Sequence, residues 1–346
     1  MINFIIIFNH LKIDFLTNGV QSVILDEIRR PITEELKKVE HEFQLLVKSD
    51  VTLIDKIINH ITIYKGKRLR PILLLLCSGL KGDITHHSIR AATIVELLHT
   101  ATLIHDDVVD ESELRRGGPS VNSLWNNKIT ILIGDYLFST VLYGLSELNN
   151  LAMINVISRV VKRMSQGELL QLENGHNYEL EESTYFRLIS DKTASLISAT
   201  CELGAITSTT SANDHHENLR HFGECLGIAF QIKDDLLDFT GKETTLGKPI
   251  AKDIIENTIT LPLLYGIKNS DNHHQTKILK LLENGITDKD VELVRQFAGE
   301  SGGIEYASQK AEYFTRQALK CLDMYEETEY KRALIKLTKF ITTREH

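Results

Sequence analysis

Two acidic runs carry the strongest chemical signal in this 346-residue chain. One reads His105-Asp106-Asp107-Val108-Val109-Asp110 and the other Lys233-Asp234-Asp235-Leu236-Leu237-Asp238, each spelling Asp-Asp-x-x-Asp. On a helix, residues i and i+4 share a face, so Asp106 stacks with Asp110 and Asp234 with Asp238. Like charges at that spacing repel, and the pattern puts both clusters near mid-helix, where no end dipole acts on them. The intervening pairs and the flanks are apolar, so each helix is partly buried. Carboxylates held there must take up protons or bind cations. A small cluster of hard oxygen ligands suits Mg²⁺, which keeps waters and bridges to phosphates. A solvated acidic face is the plain alternative, and the apolar setting of both runs argues against it.

A cation site implies an anion, and the sequence supplies groups to grip one. Gly66-Lys67-Arg68-Leu69-Arg70-Pro71 sets three basic residues beside a glycine, just before the apolar run from Ile72 to Leu76. Guanidinium forks and an ammonium at a loop-to-helix junction make a phosphate grip. Arg115-Arg116 follow the first acidic run, ahead of Gly117-Gly118-Pro119, while Lys192-Thr193 and Lys248 lie further on. His99 is two helical turns before Asp106 and close to its face, within reach of a phosphate. His105 is expected to hydrogen bond around the acidic cluster rather than ligate metal, since hard oxygen sites rarely recruit imidazole.

Positioning these residues falls to helices. Proline is scarce (5 residues) and glycine modest (20), so the chain has few breakers. Apolar residues recur at helical spacing, as in Leu53, Ile57, Ile58 and Ile61, and strand-like alternation is rare. The expectation is an all-α fold, a single large helical bundle, with breaks near Gly66, Gly82, Gly117 and within residues 208–214, 240–249 and 269–274. The 42% hydrophobic and 25% charged residues are ordinary globular values. With 47 acidic against 39 basic residues the net charge is −8, which disfavours a nucleic-acid binder. Cys77, Cys201, Cys225 and Cys321 are widely spaced, consistent with reduced, buried thiols in a cytoplasmic protein. Residues 1–24 are set apart as an N-terminal extension or first helix of uncertain role.

Taken together, Gly66 to Pro71, the run from His99 to Asp110, Arg115-Arg116-Gly117, Gly134-Asp135, Gly167-Glu168, Lys192-Thr193 and Phe230 to Asp238 closely resemble the trans-isoprenyl diphosphate synthases, or polyprenyl synthetases. The likeness runs from about Ile32 to Arg344, so residues 25–346 are expected to form one synthase domain. The resemblance implies the isoprenoid synthase bundle with a central cavity, and head-to-tail condensation of an allylic diphosphate with isopentenyl diphosphate. It implies two or three Mg²⁺ ions, held by Asp106, Asp110 and Asp234, with Asp107, Asp235 and Asp238 acting less directly. Arg115, Lys192 and Lys248 would help stabilise the departing diphosphate, and Thr193 and Gln231 would turn oxygens toward the allylic cation. Lys67, Arg70, His99 and Arg116 would bind the second diphosphate without metal. A homodimer is implied, with at most transient membrane contact.

In that family the helix of the first aspartates also lines the tunnel for the growing chain. Ala101 and Thr102, one turn below Asp106, are small, and Leu98 follows a turn later. An open upper tunnel implies a long product, heptaprenyl to nonaprenyl, of the kind used in quinone side chains and primed by farnesyl or geranylgeranyl diphosphate. The alternatives are a short-chain farnesyl or geranylgeranyl synthase, and an all-α His-Asp metal phosphohydrolase built on His105-Asp106. A terpene cyclase or a non-enzymatic synthase subunit fits less well, because both aspartate runs are intact.

Overall fold

The computed structural model describes residues 23–64, 66–174, 181–209, 216–241, 252–255, 258–287 and 289–342. Nearly all are helical. Residues 23–29 form a helical turn running into a 3₁₀ segment, Arg30–Ile32. Then come α1 (Thr33–Leu46), α2 (Thr52–Ile63), α3 (Leu69–Lys81), α4 (His86–Val109), α5 (Val121–Glu147), α6 (Leu151–Asn174) and α7 (Glu182–Ile189). A single π turn, Ser190–Ala194, leads directly into α8 (Ser195–Ile206). There follow α9 (His216–Thr240), α10 (Lys252–Ile255), α11 (Leu261–Asn269), α12 (Asn272–Glu283), α13 (Val291–Glu300), α14 (Gly303–Cys321) and α15 (Glu329–Thr342). The two strands among the described residues, β1 (Leu114–Arg115) and β2 (Gly118–Pro119), make a minimal antiparallel hairpin between α4 and α5.

Burial explains which helices lie at the centre. In α3 every residue from Pro71 to Ser78 is buried, and in α4 every one from Ala91 to Leu98 is. A helix apolar on all sides belongs inside a bundle rather than on its surface. Helix α4 packs on α5, α3 and α1, while α9 packs on α8 and α14. Close approach rests on glycines with no room for a side chain. A Cβ on Gly204 of α8 would lie 2.5 Å from the Leu74 carbonyl of α3, and one on Gly223 of α9 would lie 2.7 Å from the Ile197 carbonyl of α8. Helix α4 starts with a capping box in which Thr85 and Ser88 exchange hydrogen bonds, and both hydroxyls also donate to the Thr207 carbonyl at the end of α8. All four cysteines are buried free thiols.

The helix ends correct one expectation. Asp106 and Asp110 are not near mid-helix: α4 ends at Val109, and the Asp110 N–H closes it on the Asp106 carbonyl at 2.8 Å. Helix α9 ends at Thr240, so Asp234 and Asp238 also occupy its last two turns. Both clusters therefore sit at the negative end of a helix dipole, which adds to the repulsion and strengthens the demand for cations.

Candidate active site

Helix α4 presents one face to the site. Turning about 100° per residue aligns His99, Asp106 and Asp110 along it. Burial, followed by the charge of Glu168 on α6, pushes the Asp106 carboxyl up to about 6, with Lys192 partly offsetting this. Asp107 points to the other side, nearly inaccessible, where Arg115 Nε donates to it at 2.6 Å. Arg115 is thus engaged as the partner of Asp107, and burial still raises that carboxyl despite the guanidinium.

Lys192 and Thr193 stand on the π turn between α6 and α9. The Lys192 ammonium lies 2.7 Å from Glu168 and donates to Gln171 at 2.8 Å. The Thr193 hydroxyl donates to Gln231 Oε1 at 2.7 Å; the Gln231 amide donates to Asp235 at 2.9 Å, and the buried Tyr185 hydroxyl to the other Asp235 oxygen at 2.6 Å. Asp235 is therefore a buried anchor, whereas Asp234 is exposed and Asp238 half-exposed. Arg295 of α13 donates twice to the Asp238 carbonyl, at 3.1 and 2.7 Å, fixing the end of α9. The Lys192-Thr193 segment thus touches both acidic helices' surroundings, Glu168 beside Asp106 on one side and Gln231 before Asp234 on the other.

Two turns up α4 the electrostatics reverse. Burial, and then the charges of Arg70, Arg116 and Arg115, hold the His99 imidazole well below its ordinary value. Burial lowers Arg70 to about 10, opposed by Glu96, and its buried Nε has no hydrogen-bond partner among the described residues. Arg116 is lowered for the same first reason. Arg116 and Gly117 form the hairpin tip with φ of 54° and 77°, as a type I′ turn requires. The Arg116 guanidinium lies against Gly66, where a Cβ would be 3.1 Å from its Nε. The hairpin is seated on α2: His60 Nε2 bonds the Pro119 carbonyl at 2.9 Å, and the Tyr64 ring fills the space at Gly118. A cavity of about 40 Å³ beneath it is lined by His60, Tyr64, Thr100, Asp107 and Arg115.

The basic run at residues 67–70 splits three ways. Arg70 joins His99 and Arg116; Arg68, with φ 53°, turns back to Glu40 at 2.6 Å; Lys67 is exposed, with its ammonium 5.4 Å from the Phe340 ring. Lys248 lies outside the described residues. His105, central to the phosphohydrolase alternative, faces α5: its Nε2 is 3.3 Å from the Ile131 carbonyl and 3.4 Å from Asp135, and a Cβ on Gly134 would collide with its ring. The three tunnel candidates also separate. Ile94 and His105 both meet α5, so Leu98 and Ala101 between them on that face are fully buried, while Thr102 below Asp106 is partly exposed.

Several residues escape sequence reasoning. Glu96 is a buried carboxylate between Arg70 and Arg116 in effect, visible only as one acid inside the apolar run Ile94 to Leu98. Glu168 enters the sequence reading only through the Gly167-Glu168 match, with no role attached, and Gln171, one turn on along α6, has a spacing too common to signal a site. Tyr185, Arg163 and Glu224 carry no local signal.

Among the described residues no three His, Cys, Asp or Glu side chains converge tightly enough to hold an ion alone. The carboxylates at the two helix ends therefore fit a cation that takes most of its ligands from water and phosphate, which is the habit of Mg²⁺.

The polyprenyl synthetase family model matches residues 51–298. The chain is 35% identical over 319 residues to an all-trans-nonaprenyl-diphosphate synthase (geranyl-diphosphate specific) of Rhodobacter capsulatus, covering 92% of this chain and 97% of that one. It is 31% identical to the octaprenyl diphosphate synthase of Escherichia coli, covering 93% and 99%. Among solved structures it is similar to a decaprenyl diphosphate synthase from Rhodobacter capsulatus, with TM-score 0.88, 33% identity and coverage of 93% and 99%. It also resembles a polyprenyl synthase from Caulobacter crescentus complexed with calcium and isoprenyl diphosphate, with TM-score 0.85, 32% identity and coverage of 93% and 98%.

Proposed function

The chain belongs to the polyprenyl synthetase family and is a prenyltransferase, and on that premise we propose how its residues divide the work and what length of product they make. The observation that carries the reading is one helix bearing two sites of opposite need. At its end, carboxylates require cations; two turns earlier, half-buried arginines around a neutral imidazole require an anion. Two diphosphate substrates are then held by different means.

The allylic diphosphate binds at the carboxylate end. Asp106, Asp110 and Asp234 would hold two or three Mg²⁺ ions, which would supply the positive charge that a departing diphosphate needs. Lys192 adds a fixed positive charge at that point, and Glu168 and Gln171 aim it. Thr193 and Gln231 turn oxygens toward the carbon left electron-poor, while Asp235 and Tyr185 fix Gln231. Isopentenyl diphosphate binds to Arg70, Arg116 and His99, with Lys67 at the entrance. Its double bond supplies the electron pair for the new carbon–carbon bond, and the released diphosphate takes the proton lost afterwards. Lys248 is assigned to the leaving group by its place in the motif order alone.

The product is long-chain, heptaprenyl to nonaprenyl, primed by farnesyl or geranylgeranyl diphosphate, because small Thr102 leaves space below Asp106. Residues 25–346 form the synthase domain and 1–24 an extension. The working unit is a homodimer: Leu124, Ile131, Leu132, Leu142 and Tyr143 expose one apolar face of α5, a face a second copy would cover. Membrane contact is transient, at the release of a lipophilic product by a cytoplasmic enzyme. Incubation with farnesyl diphosphate, isopentenyl diphosphate and Mg²⁺, with products sized by chromatography, tests the reading. Products of seven to nine prenyl units are expected; termination at three or four would overturn the chain-length assignment, and no prenyl product the whole.

A further inference from the structure

The helices around the site include a π turn, and it occurs where Lys192 and Thr193 must face two different walls. The Ser195 N–H bonds the Ser190 carbonyl five residues back, so one extra residue is accommodated before α8 resumes. Neighbouring backbones clamp the turn from both sides. A Cβ on Gly167 of α6 would lie 2.6 Å from the Lys192 nitrogen, and one on Gly227 of α9 would lie 2.5 Å from Ala194 Cα. Its first residues are gripped by the Arg163 guanidinium, with Arg187 3.8 Å from the other Asp191 oxygen. Arg163 of α6 donates to Asp191 at 2.7 Å, to the Ser190 hydroxyl at 2.7 Å and to Glu224 of α9 at 2.9 and 3.3 Å. Ser190 also hydrogen bonds Glu224. All three charged side chains are mostly buried, at 28%, 15% and 21% exposure, so the network is a costly feature unless it holds something in place.

We infer that Arg163, with Asp191 and Glu224, is a positioning group: it ties α6 to α9 through the π turn, and so aims the Lys192 ammonium at the departing diphosphate and the Thr193 hydroxyl toward the carbon that it leaves. The inference rests on the prenyl-transfer reading of the same site. Arg163 touches neither substrate. Its removal releases the turn, Lys192 and Thr193 lose their separate bearings, and the reacting end suffers while the isopentenyl diphosphate pocket is spared.

A double-mutant cycle tests this. Arg163→Met is expected to lower kcat about 10- to 100-fold, the scale of a misplaced reacting geometry, with KM for isopentenyl diphosphate changed less than about twofold. In a Lys192→Met/Thr193→Val background the same substitution should lower kcat less than about threefold, because groups acting as a unit are not additive. Arg163→Lys should recover part of the loss. If Arg163→Met fails to fold, Glu224→Gln, which keeps the size but replaces one of the two oxygens that accept from Arg163 with a donor, takes its place in the cycle. The cycle is repeated as calorimetric affinity for inorganic pyrophosphate with Mg²⁺, which needs no turnover. An inactive parent enzyme would sink the prenyl-transfer reading and leave the affinity cycle to decide on Arg163. Equal losses in both backgrounds, or a variant within about twofold of the parent, would refute the positioning role.

Discussion

The last turn of α4 and the stretch two turns before it are opposites built on one helix. At the end, Asp106 and Asp110 meet the negative pole of their own helix and the carboxylate of Glu168, with Lys192 as the nearby cation. Around His99, Arg70 and Arg116 crowd a neutral imidazole, with buried Glu96 as the offsetting charge. The first site is short of positive charge and the second of negative charge. On the proposed reading, the difference is what keeps two chemically similar diphosphates apart: one would be bound through cations drawn from solution, the other by fixed guanidinium groups.

Neutralising the carboxylate end should break the comparison hardest. Asp106→Asn is expected to lower kcat about 10²- to 10³-fold at saturating Mg²⁺, with KM for isopentenyl diphosphate nearly unchanged; initial rates retained within about fivefold would dissolve the proposed division of labour. Next comes the opposite pole. Arg116→Gln should raise KM for isopentenyl diphosphate about 10- to 100-fold, the worth of a charge-assisted hydrogen bond, while kcat at saturation stays close to the parent's. A matching rise for the allylic substrate would mean that the two sites are not separate.

A third pair sharpens which face of α4 meets the growing chain. Thr102→Phe should shorten the product, whereas Ala101→Phe, pressed against α5, should cost about 1–3 kcal/mol of stability by overpacking. Product sizing and chemical denaturation of both variants separate the two outcomes, and identical behaviour would erase the distinction. The smallest effect is one of pH. His99 has a folded value well below its unfolded one, so below about pH 6.5 the unfolded chain takes up a proton that the folded chain refuses. Stability is therefore lost as pH falls through that window, by up to about 1.4 kcal/mol per pH unit. Urea unfolding at pH 7 and pH 5 should show the parent losing more than His99→Gln, and parallel losses would mean that His99 is not held neutral.

Local spacing made much of this legible. The two acidic runs, the basic junction before α3 and the Arg115-Arg116 turn are short patterns in which residue type and separation already imply a cation, an anion and a loop. Setting the six motif aspartates aside leaves 41 acidic against 39 basic residues, so most of the net charge belongs to that one pattern. Two local features were open to misreading. Gly241, just beyond Thr240, is a helix-stop signal that places Asp234 and Asp238 at the end of α9. The end of α4 has no such mark, because Glu111 takes φ 47° without being glycine. Arg68 and Arg70 are indistinguishable by type, and only the packing of α1 draws Arg68 to Glu40 and leaves Arg70 for the pocket.

The sequence by itself determined the chemistry: helices from apolar periodicity and scarce breakers, cations demanded by paired aspartates, anions by grouped arginines. Those properties depend on residues within a few turns of one another. Which aspartate faces the cavity and which is an anchor was decided by tertiary structure, since Asp106 and Asp107, or Asp234 and Asp235, differ only in what packs beside them. The same holds for the π turn. Ser190 to Ala194 carry no unusual local preference, and the irregularity exists because Gly167 and Gly227 let two helices close on it while Arg163, one turn before Gly167 on α6, holds it there.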